Sequence, residues 1–161
     1  MPPHLTADLQ WPDRWSRQEA VELAGDYEAV PSGRSWTGKI LAGWGLAGLA
    51  DDVGLVASEL LTNAVRATLA GGGASPVRLW LLGGQSCAVL LAWDAANDLP
   101  RRGDAGPCDE RGRGLAIVDA IAARWGWYAL PPQDASATSA GGKVVWALIG
   151  TLPFSRRRRS Q

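Results

Sequence analysis

At 161 residues and 47% hydrophobic, the chain is short enough for one domain and apolar enough to bury a core. Its 16 basic and 16 acidic residues cancel, yet four arginines stand together at Arg156 to Arg159, so the body is acidic by about four charges and does not read as a nucleic-acid binder. No run of about 18 apolar residues occurs and "MPPHLTADLQW" has neither a basic start nor an apolar stretch, so no membrane span or secretory leader is expected, and the expected location is the cytoplasm.

Residues 1–22 mix Trp11 and Trp15 with Pro12 and several charges. They are expected to form an irregular or partly helical extension to about Ala20, after which "AVELAGDYEAV" holds a short strand. Pro31 and Ser32 open a first helix that ends in the region from Gly43 to Gly48. "LADDVGLVASELLTNAVRATLAGGG" has acids in its first turn and glycines at its end, the polarity of a long helix whose dipole favours negative charge at the start. "PVRLWLLGGQSCAVLLAWDAA" reads as two strands around a "GGQS" turn, an antiparallel hairpin whose second strand ends on Asp94.

The next stretch, "NDLPRRGDAGPCDERGRG", has no hydrophobic periodicity and reads as a loop, long enough to serve as a lid or binding loop. In "GLAIVDAIAARWG", Leu115, Val118, Ala122 and Trp125 fall at helical spacing, so that helix is expected to close at Gly126. "WYAL" and "KVVWALIGTL" follow as strand-like runs, and there is no internal repeat. The resulting division is an extension over 1–22, one domain over 23–152 and a basic tail over 153–161. The tail is read as solvated chain, the alternative being contact with phosphates, a membrane surface or an acidic partner.

Few residues carry chemistry. Cys87 in an apolar run and Cys108 in a polar loop lack metal spacing and read as reduced thiols. His4, the single histidine, lies beside prolines near the start, which leaves none for a triad, a zinc cluster or a phosphohistidine relay in the folded part. Glu59 and Asn63 stand four apart and share one helix face, while Val53, Val56, Leu60, Ala64 and Ala67 form an apolar stripe on another. Taken alone the pair is readable as a solvated surface, Asp94 as a turn former, and Gly112 with Gly114 as a flexible helix entry.

In their order along the chain, "ELLTNAVRA", "WDAANDLP", "GRGLAIVDAIAARWG" and "GGKVVWAL" resemble the motifs of the Bergerat-fold (GHKL) ATPases, the superfamily of DNA gyrase and the histidine kinases. The resemblance is closest to the small anti-sigma-factor serine protein kinases and spans about residues 26–152. It implies an α+β, two-layer sandwich with a mixed, mainly antiparallel sheet and helices on one face. It implies ATP and Mg²⁺ as cofactors, with Asn63 as the metal ligand through a hard amide oxygen. Glu59 is then the catalytic base that takes the proton of an attacking serine hydroxyl.

By the same resemblance Asp94 accepts a hydrogen bond from the adenine amino group. A guanine oxygen there would face a second acceptor, so ATP is expected to be preferred. Gly112 and Gly114 would let phosphate approach the backbone at the helix start, beside Leu115, and Pro100 keeps the family pattern after the adenine aspartate. Arg111, Arg113 and Lys143 are candidate phosphate partners, each equally readable as surface charge. The small-kinase branch often carries a histidine at the position of Ala67 and a threonine at that of Val144; their replacement is expected to weaken partner contacts or the adenine-side hydrogen bonds.

The function implied is that of a serine protein kinase that binds a sigma factor and phosphorylates a serine on an antagonist protein. The alternative is a non-catalytic nucleotide-binding adaptor. Period two sets Trp80 and Leu82 on one strand face and Val77, Leu79 and Leu81 on the other, so both faces of the sheet are apolar. The face without helices is expected to be covered by a second subunit, a partner or the N-terminal extension, and family members of this branch are often dimers, which favours a homodimer.

Overall fold

The computed structural model describes residues 15–73, 75–96, 113–131 and 141–151. Five strands, β1 (Arg17–Leu23), β2 (Val77–Gly83), β3 (Cys87–Asp94), β4 (Arg124–Leu130) and β5 (Gly142–Gly150), form one sheet in the order β1-β2-β3-β5-β4. Each neighbouring pair runs antiparallel. Three helices, α1 (Ala29–Gly43), α2 (Ala50–Ala70) and α3 (Arg113–Ile121), complete an α+β fold.

The long helix α2 forms where expected. Asp51 and Asp52 lie in its first turn, where the helix dipole favours them. At its far end Gly72 takes φ +72°, and the Gly72 and Gly73 N–H groups donate to the carbonyls of Leu69 and Thr68. This closure needs a left-handed residue after the last turn, which glycine supplies without steric cost. The inner stripe of α2, including Val53, Val56, Leu60, Leu61 and Ala64, is buried against Leu79, Leu81, Leu90 and Ala92 of the sheet.

The opposite face of the sheet is a second core. Leu82, Cys87, Val89, Leu91, Trp93, Val144, Trp146 and Leu148 are all buried there, with Trp15, Trp80 and Tyr128 packed on them. The period-two assignment of Trp80 and Leu82 to this face, and of Val77, Leu79 and Leu81 to the helix face, holds. The eight buried side chains of this cluster are covered within the single chain. Trp15, from the expected N-terminal extension, packs on this core and supplies part of its cover.

Two elements differ from expectation. Residues 17–20, expected to be irregular or partly helical, belong to β1, which pairs with β2 from Arg17 opposite Gly83 to Leu23 opposite Val77. An edge strand needs only one paired side, so its charges, Glu19 and Glu22 among them, remain solvated and mask the strand pattern. Arg17 also donates to the carbonyls of Trp44 and Gly84, fastening the strand to the end of α1 and to the hairpin.

The second difference is at α3, which stops at Ile121 and not at Gly126. Its last helical hydrogen bond runs from Ala122 N–H to the Val118 carbonyl, and Ala123 N–H turns to the Leu148 carbonyl at 2.8 Å. Trp125 satisfies helical spacing, but the chain from Arg124 gains a full ladder against β5. Trp125 still reaches the helix-side core from β4.

Candidate functional site

Asp94 ends β3 and stands opposite Lys143 on β5. Strand alternation places Asp94 with Ala88, Leu90 and Ala92, and Lys143 with Val145, Ala147 and Ile149, so both face the helices. Both are buried, Asp94 2% and Lys143 7% exposed. Lys143 Nζ donates to Asp94 Oδ1 at 2.7 Å, and the Ala96 N–H donates to the same oxygen at 2.9 Å. Burial raises the Asp94 carboxyl above its ordinary value and outweighs the opposing pull of Lys143 and the Ala96 amide.

The backbone at this corner permits no side chain at the neighbouring position. Gly142 has φ +124°, and a Cβ there would lie 2.2 Å from the Asp94 carbonyl oxygen. Only glycine lets β5 start so close to the end of β3.

The second group of polar residues lies between α2 and α3. Glu59 and Asn63 are half-buried, one turn apart on α2, and both face the start of α3. Gly114 is buried in its first turn; a Cβ on it would come 2.6 Å from Glu59 Oε2 and 3.6 Å from Asn63 Nδ2. The space freed by the missing side chain is therefore filled by the Glu59 carboxylate. A carboxylate against a helix start is electrostatically favoured.

The structure thus joins Glu59, Asn63 and Gly114 at one place and Asp94 with Lys143 at another. Lys143, a candidate phosphate partner by sequence, instead engages the carboxylate expected to read the base. Val144, expected at the adenine side, lies in the back core on the opposite face from Asp94. Leu115 is half-buried on α3. Pro100, Arg111 and Gly112 lie outside the described residues, as does the side chain of Arg113. Sequence reasoning missed the Asp94–Lys143 pair, whose signal was two charged residues at the ends of apolar strands.

Residues 23–144 match the family model described as the histidine kinase-like ATPase domain. The chain belongs to the histidine kinase-like ATPase family. The match opens on the last residue of β1 and closes one residue past Lys143, so it contains both polar groups. No curated protein matches the chain. For an ATP-binding domain of this family the donor set is suitable. Mg²⁺ takes as few as one or two protein oxygens beside substrate phosphates and keeps several waters, so the Asn63 amide oxygen could serve it without a larger cage. Among the described residues no cluster of three His, Cys, Asp or Glu side chains could hold a metal by itself, and no helix is long and apolar enough to cross a membrane.

Proposed function

We propose that this ATPase-family protein is a serine protein kinase of the anti-sigma-factor type, acting in the cytoplasm. It would hold a sigma factor and phosphorylate a serine on that factor's antagonist. The observation that carries the reading is the Glu59 carboxylate set against Gly114 with Asn63 one turn away. A carboxylate so placed can accept the proton of a serine hydroxyl as its oxygen bonds to the γ-phosphorus and ADP departs. Asn63 would hold Mg²⁺, which neutralises phosphate charge when bound.

A non-catalytic adaptor is the second reading, favoured by the one site carboxylate, Asp94, that is already neutralised by a lysine. One experiment separates them. Partners captured from the native cell are incubated with the protein and Mg²⁺ATP, and phosphoserine is sought by mass spectrometry. Phosphate on a captured antagonist, lost with Glu59→Ala, supports the kinase; capture without transfer supports the adaptor.

A further inference from the structure

We propose that Arg66 is a phosphate-binding residue of the site, and that it grips the part of the phosphate chain that leaves as ADP. This rests on the kinase reading, in which ATP lies at Glu59 and Asn63, and adds a residue to it.

Arg66 follows Asn63 on α2 and lies on the same side of the helix as Glu59. At 3.6 residues per turn the three positions fall within about 60° of one another, so a carboxylate, an amide and a guanidinium stand in one row. The apolar stripe of Val53, Leu60, Leu61 and Ala64 is turned to the sheet, and the row stands clear of it. All three polar residues are half-buried. Helical side chains lean toward the start of their helix, so the long Arg66 side chain covers the turn that carries Asn63.

The fold makes no polar use of this row. Among the described residues Glu59, Asn63 and Arg66 have no hydrogen-bond or ion-pair partner. Other cations are engaged: Lys143 by Asp94, Arg78 by Glu22, and Arg17 by the carbonyls of Trp44 and Gly84. Lys143, a candidate phosphate partner by sequence, is thereby taken, whereas the Arg66 guanidinium is open to a ligand.

Electrostatics calls for a cation at this place. A triphosphate set against Glu59 meets a like charge, and in a half-buried site that repulsion is screened less than at an open surface. A guanidinium on the same helix side offsets it, and its planar fork of N–H groups can hold two phosphate oxygens at once. Order along the helix selects the phosphate. As acceptor of the serine proton, Glu59 stands by the γ-phosphorus. Arg66 is rooted about 10 Å further along the axis, and its lean returns the guanidinium to about the level of Asn63. A phosphate chain running along the row from Glu59 brings its ADP side there. When the serine oxygen bonds to the γ-phosphorus, the bond to the β–γ bridging oxygen breaks and its electron pair stays on ADP. Arg66 opposes that growing negative charge.

The test is calorimetric titration of the full chain, with Mg²⁺ present, using ADP and a non-hydrolysable ATP analogue. Arg66→Gln keeps a helix-forming polar stem without the charge, and is expected to weaken both nucleotides by at least about tenfold. Arg66→Lys keeps the charge without the fork and should weaken both by about threefold. The urea midpoint of either variant should match the parent, because Arg66 has no polar partner within the described fold. Unchanged affinity for both nucleotides overturns the proposal. A loss confined to the ATP analogue also overturns it, since Arg66 would then hold the γ-phosphate and not the ADP side. A parent that binds neither nucleotide refutes the kinase reading itself. Should Arg66→Gln not fold, Arg66→Lys decides: ADP affinity equal to that of the parent overturns the proposal.

Discussion

Lys143 and Val144 are neighbours in sequence and opposites in role, as are Asp94 and Trp93 on the adjoining strand. The first of each pair faces the helices and belongs to a buried ion pair; the second faces the back core. Both faces are equally apolar, and β3 is buried along its whole length. Yet among the described residues the buried charged groups are Asp94 and Lys143 alone, both on the helix face. In a sheet covered on both sides, hydropathy no longer tells the faces apart. Register does, because a one-residue shift exchanges every side chain between them.

The largest expected effect concerns the helix side. Glu59→Ala should reduce phosphate transfer by about 100- to 10,000-fold, the usual contribution of a positioned base. ATP affinity should hold, since the base acts on the hydroxyl only in the reacting complex. Single-turnover transfer together with calorimetry checks this. Equal losses in both would make Glu59 a ligand-positioning residue, and the helix face would then hold two binding groups and no base.

Next is the ion pair. Asp94→Asn keeps the shape of the side chain but leaves the Lys143 ammonium buried without its carboxylate. Breaking a buried pair from one side costs about 3–5 kcal/mol. Urea denaturation measures the loss, and ATP binding should weaken with it. A variant as stable as the parent would mean that the pair is compensated elsewhere and that Asp94 is not held by charge.

The same face-to-face contrast predicts a smaller loss at the next residue along β5. Val144→Thr introduces the threonine often found at this position in the small-kinase branch that the sequence resembles, but places its hydroxyl in the back core, at a site 0% exposed. An unsatisfied buried hydroxyl costs about 1–3 kcal/mol in proteins. Stability should drop while nucleotide affinity stays unchanged. A tighter grip on ATP would show that position 144 reaches the base after all, and that the two faces are not separate.

Much of this arrangement was legible in the sequence. Glycines and first-turn acids gave the bounds of α2, and the "GGQS" turn gave the β2–β3 hairpin and the end of β3 at Asp94. The meeting of Glu59 and Asn63 followed from their four-residue spacing. What escaped were relations decided by tertiary pairing. Trp125 fits both helical and strand spacing, and only the ladder to β5 resolves it. Residues 17–20 carry the charges of an edge strand and so lack an alternating pattern. The partner of Asp94 depends on the β3–β5 register across a separation of 49 residues, which no local pattern encodes.

The smallest effect lies on the back face and appears only in alkali. Tyr128 stands opposite Val144 and packs on the back core, and burial pushes its phenol from 10.0 up to about 12. Below pH 10 the phenol keeps its proton in both folded and unfolded chains, so its contribution to stability is fully present there. Between 10 and 12 the unfolded chain releases that proton while the folded one retains it. The folded state then binds more protons, and stability falls as pH rises through this window. Tyr128→Phe should remove this share of the decline while leaving a constant offset at neutral pH. Urea midpoints of parent and variant measured from pH 9 to pH 12 report it as a difference that changes with pH. Parallel curves would mean that water reaches the phenol, and that the back core is open at the edge where β4 pairs with β5.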